Sequence, residues 1–108
     1  MTHSALLVLT TLPDRASAEV LARELLGGRL AACVQIGAAL RSLYHWRGEI
    51  ETAEETPVAI KTRRELYARV EKAIRERHPY ELPEIVAVPI TDGSSAYIDW
   101  IAAETAAA

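Results

Sequence analysis

Leu40-Arg-Ser-Leu-Tyr-His-Trp46, then Arg47-Gly48, then Glu49-Ile-Glu51, is the stretch whose reading decides the fold. Leu40, Ser42, Tyr44 and Trp46 fall on one face of an alternating segment, and Arg41, Leu43 and His45 on the other, which is the period of a strand. Arg47-Gly48 supplies a tight turn and Glu49-Ile50-Glu51 starts the return strand. Thr52 to Thr56 is polar and acidic and reads as a loop or a frayed part of the hairpin, after which Pro57 to Lys61 resumes as a buried strand. The hairpin is longer than a domain of 108 residues needs for its own core, so it is free to pair with the edge strand of a neighbouring copy.

Working outward, Ala5 to Thr11 is a continuous apolar run that reads as a buried central strand. Asp14 is placed to cap a helix whose apolar stripe is Ala18, Leu21, Ala22, Leu25 and Leu26, and Gly27-Gly28 ends it. Leu30 to Ile36 is a second apolar run, and Gly37 permits a bend before the hairpin. Beyond the hairpin, Thr62-Arg-Arg-Glu65 fits a capping box for a helix with Leu66, Val70, Ala73 and Ile74 inside. Glu84 to Ile90 is a further strand, with Pro89 marking an edge or a strand end, and a last helix runs from Ser95 with Tyr97, Trp100 and Ile101 together. The order β-α-β-β-α-β plus a terminal helix predicts an α+β, ferredoxin-like sandwich, a single domain over 1–108. Two helices cover one sheet face. The other has no obvious cover except another copy of the chain, so a closed homo-oligomer is expected.

Composition excludes several classes of function. A net charge of −3 opposes nucleic-acid binding, which needs a basic footprint. The one cysteine excludes an intrachain disulfide and a four-cysteine zinc site. No apolar run approaches a membrane span, and the first residues lack the pattern of a secretory signal, so a cytoplasmic location is expected. There is no Gly-rich phosphate loop and no activated nucleophile, so no enzyme and no organic cofactor are expected. With four Tyr, two Trp and no Phe, the core must be aliphatic and the rings belong at edges and interfaces.

The chemistry concentrates at His78-Pro-Tyr-Glu-Leu-Pro-Glu-Ile85, where a helix ends and a strand begins. Pro79 and Pro83 stiffen the residues before them, so this corner holds an imidazole, a phenol and two carboxylates in fixed directions. His78 is a ligand candidate that needs a second donor, from Glu81, Glu84 or a neighbouring subunit. Glu81 and Glu84 are alternatively structural partners for Lys61, whose ammonium ends a buried strand. Cys33 is either a small buried hydrophobe or a thiolate ligand. His45 reads as a surface residue. Trp46 reads as an intersubunit anchor, and Tyr44 lies on the same face of the strand. Tyr80 reads as an interface ring, and Tyr97 and Trp100 as packing residues that could also wall a cleft. His3 offers a separate route to copper(II) through the terminal amine and backbone amides, a pattern that removal of Met1 breaks.

Five fragments in order carry a resemblance: Arg29-Leu-Ala-Ala-Cys-Val34, Ser42-Leu-Tyr-His-Trp-Arg-Gly-Glu49, Ile60-Lys-Thr62, His78-Pro-Tyr-Glu-Leu-Pro-Glu84 and Tyr97-Ile-Asp-Trp100. From about Leu6 to Trp100 the chain resembles the CutA family, named for divalent-cation tolerance. The resemblance implies a ferredoxin-like subunit similar in shape to PII signalling proteins and a homotrimer built through extended hairpins. It further implies binding of divalent metal, copper(II) above all, a role in metal homeostasis, and Cys33 and His78 as the metal candidates. Some relatives carry a further cysteine in the first strand, where this chain has Thr10 and Thr11. Two other functions fit the same frame: a PII-like trimer that binds a small ligand between subunits, and a structural trimer that anchors another protein.

Overall fold

The aliphatic runs and their punctuation build a sheet with helices on both sides. In the computed structural model, which describes residues 4–107, β1 is Ala5–Leu12, α1 Arg15–Gly27, β2 Cys33–Ile36, β3 Leu40–Trp46, β4 Glu49–Arg63, α2 Tyr67–Arg77, β5 Ile85–Pro89 and α3 Ser95–Ala103. His3 lies outside the described residues. The strands run in the order β2-β4-β1-β5, with β3 also paired to β4. All pairings are antiparallel, with Val8 opposite Ile60 on one side and Ala87 on the other. This is the arrangement that the element order predicts.

Alternation along the central strands separates two faces. Leu6, Val8, Leu12, Val58 and Ile60 are at most 2% exposed and point toward α1 and α2, which contribute Ala18, Leu21, Leu25, Val70, Ala73 and Ile74 to one core. α1 starts because the Asp14 carboxylate accepts the Ser17 amide at 2.7 Å, which satisfies an otherwise unpaired donor of the first turn. It stops at Gly27, with Gly28 as its cap. Leu26, expected inside, is 42% exposed, because α1 buries only a narrow stripe.

β4 corrects one expectation. It is a single strand of 15 residues, and Thr52–Thr56 is neither loop nor fray. Arg41 to Tyr44 pair with Glu54 to Glu51 in an unbroken ladder. These residues look like a loop because the two buried ones, Glu55 and Thr56, are polar and the segment shows no apolar alternation. β1 pairs with β4 only from Thr56 onward, and β2 only at 58–61. The Glu49–Glu55 half, paired with β3 alone, therefore projects from the body as a two-stranded arm, and the molecule is 48 Å long but only 26 and 23 Å across. Arg47 and Gly48 make the arm's tip with φ of 50° and 84°, the positive values that a two-residue hairpin turn requires.

The capping box is also overturned. Thr62 is still within β4, and its hydroxyl donates to the Leu30 carbonyl at 2.7 Å. One 3₁₀ turn, Arg64–Leu66, leads into α2, which has no side-chain cap. The second apolar run is strand only from Cys33, because Leu30 and Ala32 are spent on the link to β4. Finally, the second sheet face does have a helical cover at one end. α3 lies against β4 and β1 on the side of Lys61 and Arg63. Ile101 is 1% exposed there, and Arg63 donates to Thr105 Oγ1 at 2.9 Å and to the Ala106 carbonyl. The rest of that face stays open, with Val86 and Val88 nearly half exposed.

Candidate functional site

Two clusters form on the open sheet face, one at each end. The first starts from His78. α2 ends there because Pro79 follows, and His78 leaves the helix with extended backbone (φ −86°, ψ 131°). Its Nε2 lies 2.6 Å from the Thr11 carbonyl oxygen, and its Nδ1 accepts the Tyr80 amide at 3.2 Å. A carbonyl can only accept and an amide can only donate, so the ring proton sits on Nε2 and the lone pair on Nδ1. The Tyr80 ring packs 4.6 Å from the imidazole.

The corner and the arm enclose a cleft of about 400 Å³. Tyr44, Trp46, Glu51 and Glu55 line it from the arm, and Tyr80, Glu81, Leu82 and Glu84 from the corner, with Thr11 at the base. Glu55 is the buried member, 9% exposed, and accepts the Thr11 hydroxyl at 3.1 Å. The Tyr80 phenol is pushed above its ordinary value by burial first, and then by the charge and hydrogen bond of Glu55 and by Tyr44. At the rim, Arg47 pairs with Glu81 at 3.0 Å, and its guanidinium carbon lies 5.3 Å from the centre of the Trp46 ring. No basic side chain is among the lining residues. The cleft is therefore aromatic-walled and strongly acidic.

The second cluster lies at the α3 end. Lys61 stands opposite Cys33 in the ladder, on the same face. Its Nζ is 3.3 Å from the Tyr97 hydroxyl and 5.3 Å from that ring's centre. Tyr97 and Trp100 stack at 5.4 Å, and both remain 40% exposed. The expected pairing of Lys61 with Glu81 or Glu84 does not form. The lysine meets a phenol because α3 covers this end of the face, while Glu81 turns to Arg47 at the other.

The structure thus separates Cys33 from His78. Cys33 is level with Lys61 and Leu7, whereas His78 is anchored at Thr11, four residues or about 13 Å further along β1. Among the described residues no group of three or more His, Cys, Asp and Glu side chains is placed to hold a metal ion. One chain does not contain a complete ligand set. What it does contain is an imidazole with a fixed tautomer, as metal-ligating histidines have when a carbonyl takes the other N–H.

Tyr44, Trp46, Tyr80, Glu81 and Glu84, all singled out from sequence, line the cleft. Glu51, Glu55 and Thr11 were not singled out from sequence. A two-residue turn at Arg47-Gly48 places Glu51 opposite Tyr44 and Glu55 opposite Leu40, so strand parity carries the missing signal.

The family model described as "CutA1 divalent ion tolerance protein" matches residues 6–104. A curated relative from Thermus thermophilus, a divalent-cation tolerance protein CutA, is 39% identical over 91% of this chain and 95% of its own. Among solved structures, CutA1 from the psychrotrophic bacterium Shewanella sp. SIB1 superposes with a TM-score of 0.94 at 38% identity, covering 99% of this chain and 100% of that one. CutA from Archaeoglobus fulgidus, described as a periplasmic divalent cation tolerance protein, gives 0.89 at 37% identity, over 93% and 97%. Family model, sequence and structure agree, and the chain belongs to the CutA1 divalent ion tolerance protein family.

Proposed function

We propose that this protein is a homotrimeric divalent-cation-binding protein of the metal-ion response, with copper(II) as its foremost ligand and no catalytic activity. The observation that carries the reading is the state of His78. Its Nε2–H is committed to the Thr11 carbonyl, and its only lone pair, on Nδ1, is held by a single local amide contact at 3.2 Å. Imidazole suits copper(II), and a metal at Nδ1 displaces only that contact. Glu81, the first carboxylate after His78 in the corner, is the candidate second donor, held by an ion pair that solvent already weakens. Cys33 is too far along the sheet to join them within one chain, so its thiol reaches such a site only from a neighbouring copy. The single cysteine, which cannot form an intrachain disulfide, supports a cytoplasmic setting.

The test is calorimetric titration of the assembled protein with copper(II). His78→Ala is expected to weaken binding by at least about tenfold, the usual scale for losing one imidazole donor or its support. Glu81→Gln and Cys33→Ser are expected to weaken it less, and Cys33→Ser only if copies meet through β2. Equal affinity in wild type and His78→Ala would overturn the reading.

A further inference from the structure

We propose that α3 and the residues after it form a strap that opens as a unit ahead of the rest of the fold, fastened at its far end by Arg29 and Arg63. The strap crosses the Lys61 end of the sheet face, and its opening uncovers that end. Every contact this rests on is made within one chain, so it holds whatever covers the remainder of the face, and it makes no use of His78 or of a metal. α3 has little of its own to keep it in place. It is a helix of nine residues, shorter than helices that persist alone in water, and the chain's body buries a single one of its side chains, Ile101. Residues 90–94 before it have no regular structure, which leaves it hinged rather than continuous with β5.

What holds the helix down comes after it. Arg63, at the end of β4, has a side chain only 15% exposed, and a charge so placed needs partners. Its Nε donates to Thr105 Oγ1 at 2.9 Å, a second nitrogen donates to the Ala106 carbonyl, and the third lies 3.7 Å from Glu65. Thr105, 7% exposed, passes the contact on to the helix, since its hydroxyl donates to the Ile101 carbonyl at 3.0 Å. From the link between α1 and β2, Arg29 donates to the Glu104 carbonyl at 3.0 Å, and its own carbonyl accepts the Ala106 amide at 2.8 Å. Arg29 does this in the left-handed conformation, at φ 56°, where a glycine would be unstrained. A strained residue persists where its surroundings repay it, and what an arginine gains there over glycine is its reach to Glu104. Two arginines from separate parts of the fold thus grip the same three tail residues, 104–106.

Hydrogen exchange followed by mass spectrometry on the assembled, full chain tests this. In the wild type, peptides covering 95–106 are expected to exchange at least about tenfold faster than those of β1 and β4, through an opening that responds less to urea than global unfolding does. Arg63→Gln and Thr105→Val are each expected to speed exchange in 95–106 by about a further tenfold, the scale of one hydrogen bond to a charged group, with β1 and β4 unchanged. Arg29→Gly separates the fastener from general stability. It is expected to speed exchange in 95–106 while the global urea midpoint holds or rises, because left-handed strain is relieved as the grip on Glu104 is lost. Equal protection of 95–106 and the sheet in the wild type overturns the proposal. So does a loss of protection in the variants that 95–106 and the sheet share, since the segment then unfolds only with the whole. Unchanged exchange of 95–106 in the variants overturns it too, since the arginines are then not its fasteners.

Discussion

Asp14 and Glu71 carry the clearest electrostatic signatures of single residues. The Asp14 carboxyl lies below its ordinary value chiefly because it accepts the Ser17 backbone amide, with the Ser17 hydroxyl and the Ala16 amide adding to this against a small opposing effect of burial. Glu71 is lowered in the same way by the Arg75 guanidinium first and the Tyr67 hydroxyl second. The sign follows from linkage. A carboxyl more acidic in the folded than in the unfolded chain contributes its stability above the unfolded value, 3.8 for Asp14, and loses it as pH falls through the folded one. Thermal melts of Asp14→Asn, which keeps an oxygen acceptor but no charge, are therefore expected to fall slightly below wild type at neutral pH and to converge with it in acid. Asp14→Ala, which loses the acceptor too, is expected to melt lowest at neutral pH. A gap between wild type and Asp14→Asn that widens in acid would contradict the cap as drawn.

At the scale of the element, the arm is the test of how local conformation and contacts compare. Gly48 sits at φ 84°, and a Cβ built there meets nothing within 4 Å, so Gly48→Ala has only a backbone cost. That cost is about 1 kcal/mol, and a shift in urea midpoint at fixed protein concentration reads it. Arg47 is also left-handed, at φ 50°. Arg47→Asn gains a residue that tolerates this conformation but gives up the Glu81 pair, both members of which are 71% exposed, and the contact with Trp46. The two effects are of similar size, a few tenths to about 1 kcal/mol each, so the midpoint is expected to move by less than half of the Gly48→Ala shift. The same elements show what the sequence could reveal. Asp14, the Val70–Ile74 stripe and the Arg47-Gly48 turn are each decided by neighbours within a turn or a strand pair, so they could be read directly. Thr52–Thr56 could not, because its buried members, Glu55 and Thr56, are polar and leave no apolar alternation to display. Thr62 misled because its hydroxyl has a distant acceptor, Leu30, that outcompetes the local cap. Lys61 misled for the same reason, since its partner Tyr97 lies on a helix whose docking depends on the whole fold. The corner was legible as polar and rigid, but the cleft was not, because half of its lining comes from the arm.

For the molecule as a whole, the arm and the open face raise the same physical demand. A two-stranded ribbon is at best marginally stable in water by itself, yet this one extends well past the core, with Leu43 and Ile50 66% and 71% exposed. Over Glu49–Glu55 the side of β4 away from β3 has no paired strand, and β2 and β5 end the sheet as further unpaired edges. Natural proteins blunt such edges or cover them. The arm lacks both a proline and a lysine, and its carboxylates leave the exposed Leu43 and Ile50 uncovered, which favours covering by a partner surface. In the proposed homotrimer the covering surface is another copy of the chain, since the free edges and the half-exposed Val86 and Val88 are present on every copy. Because the arm and the open face are different surfaces, one copy's arm on the next copy's face is a head-to-tail contact, which closes as a ring or grows without limit. Sedimentation equilibrium is expected to give a single species of about three times the 11.9 kDa chain. Val88→Glu, which sets a charge on the open face without touching the helical core, is expected to lower that mass toward one chain while leaving far-ultraviolet circular dichroism intact. A wild-type protein that sediments as one chain at micromolar concentration, with the arm protected from proteolysis, would mean that a lone ribbon of this length is stable and that the argument from unpaired edges fails.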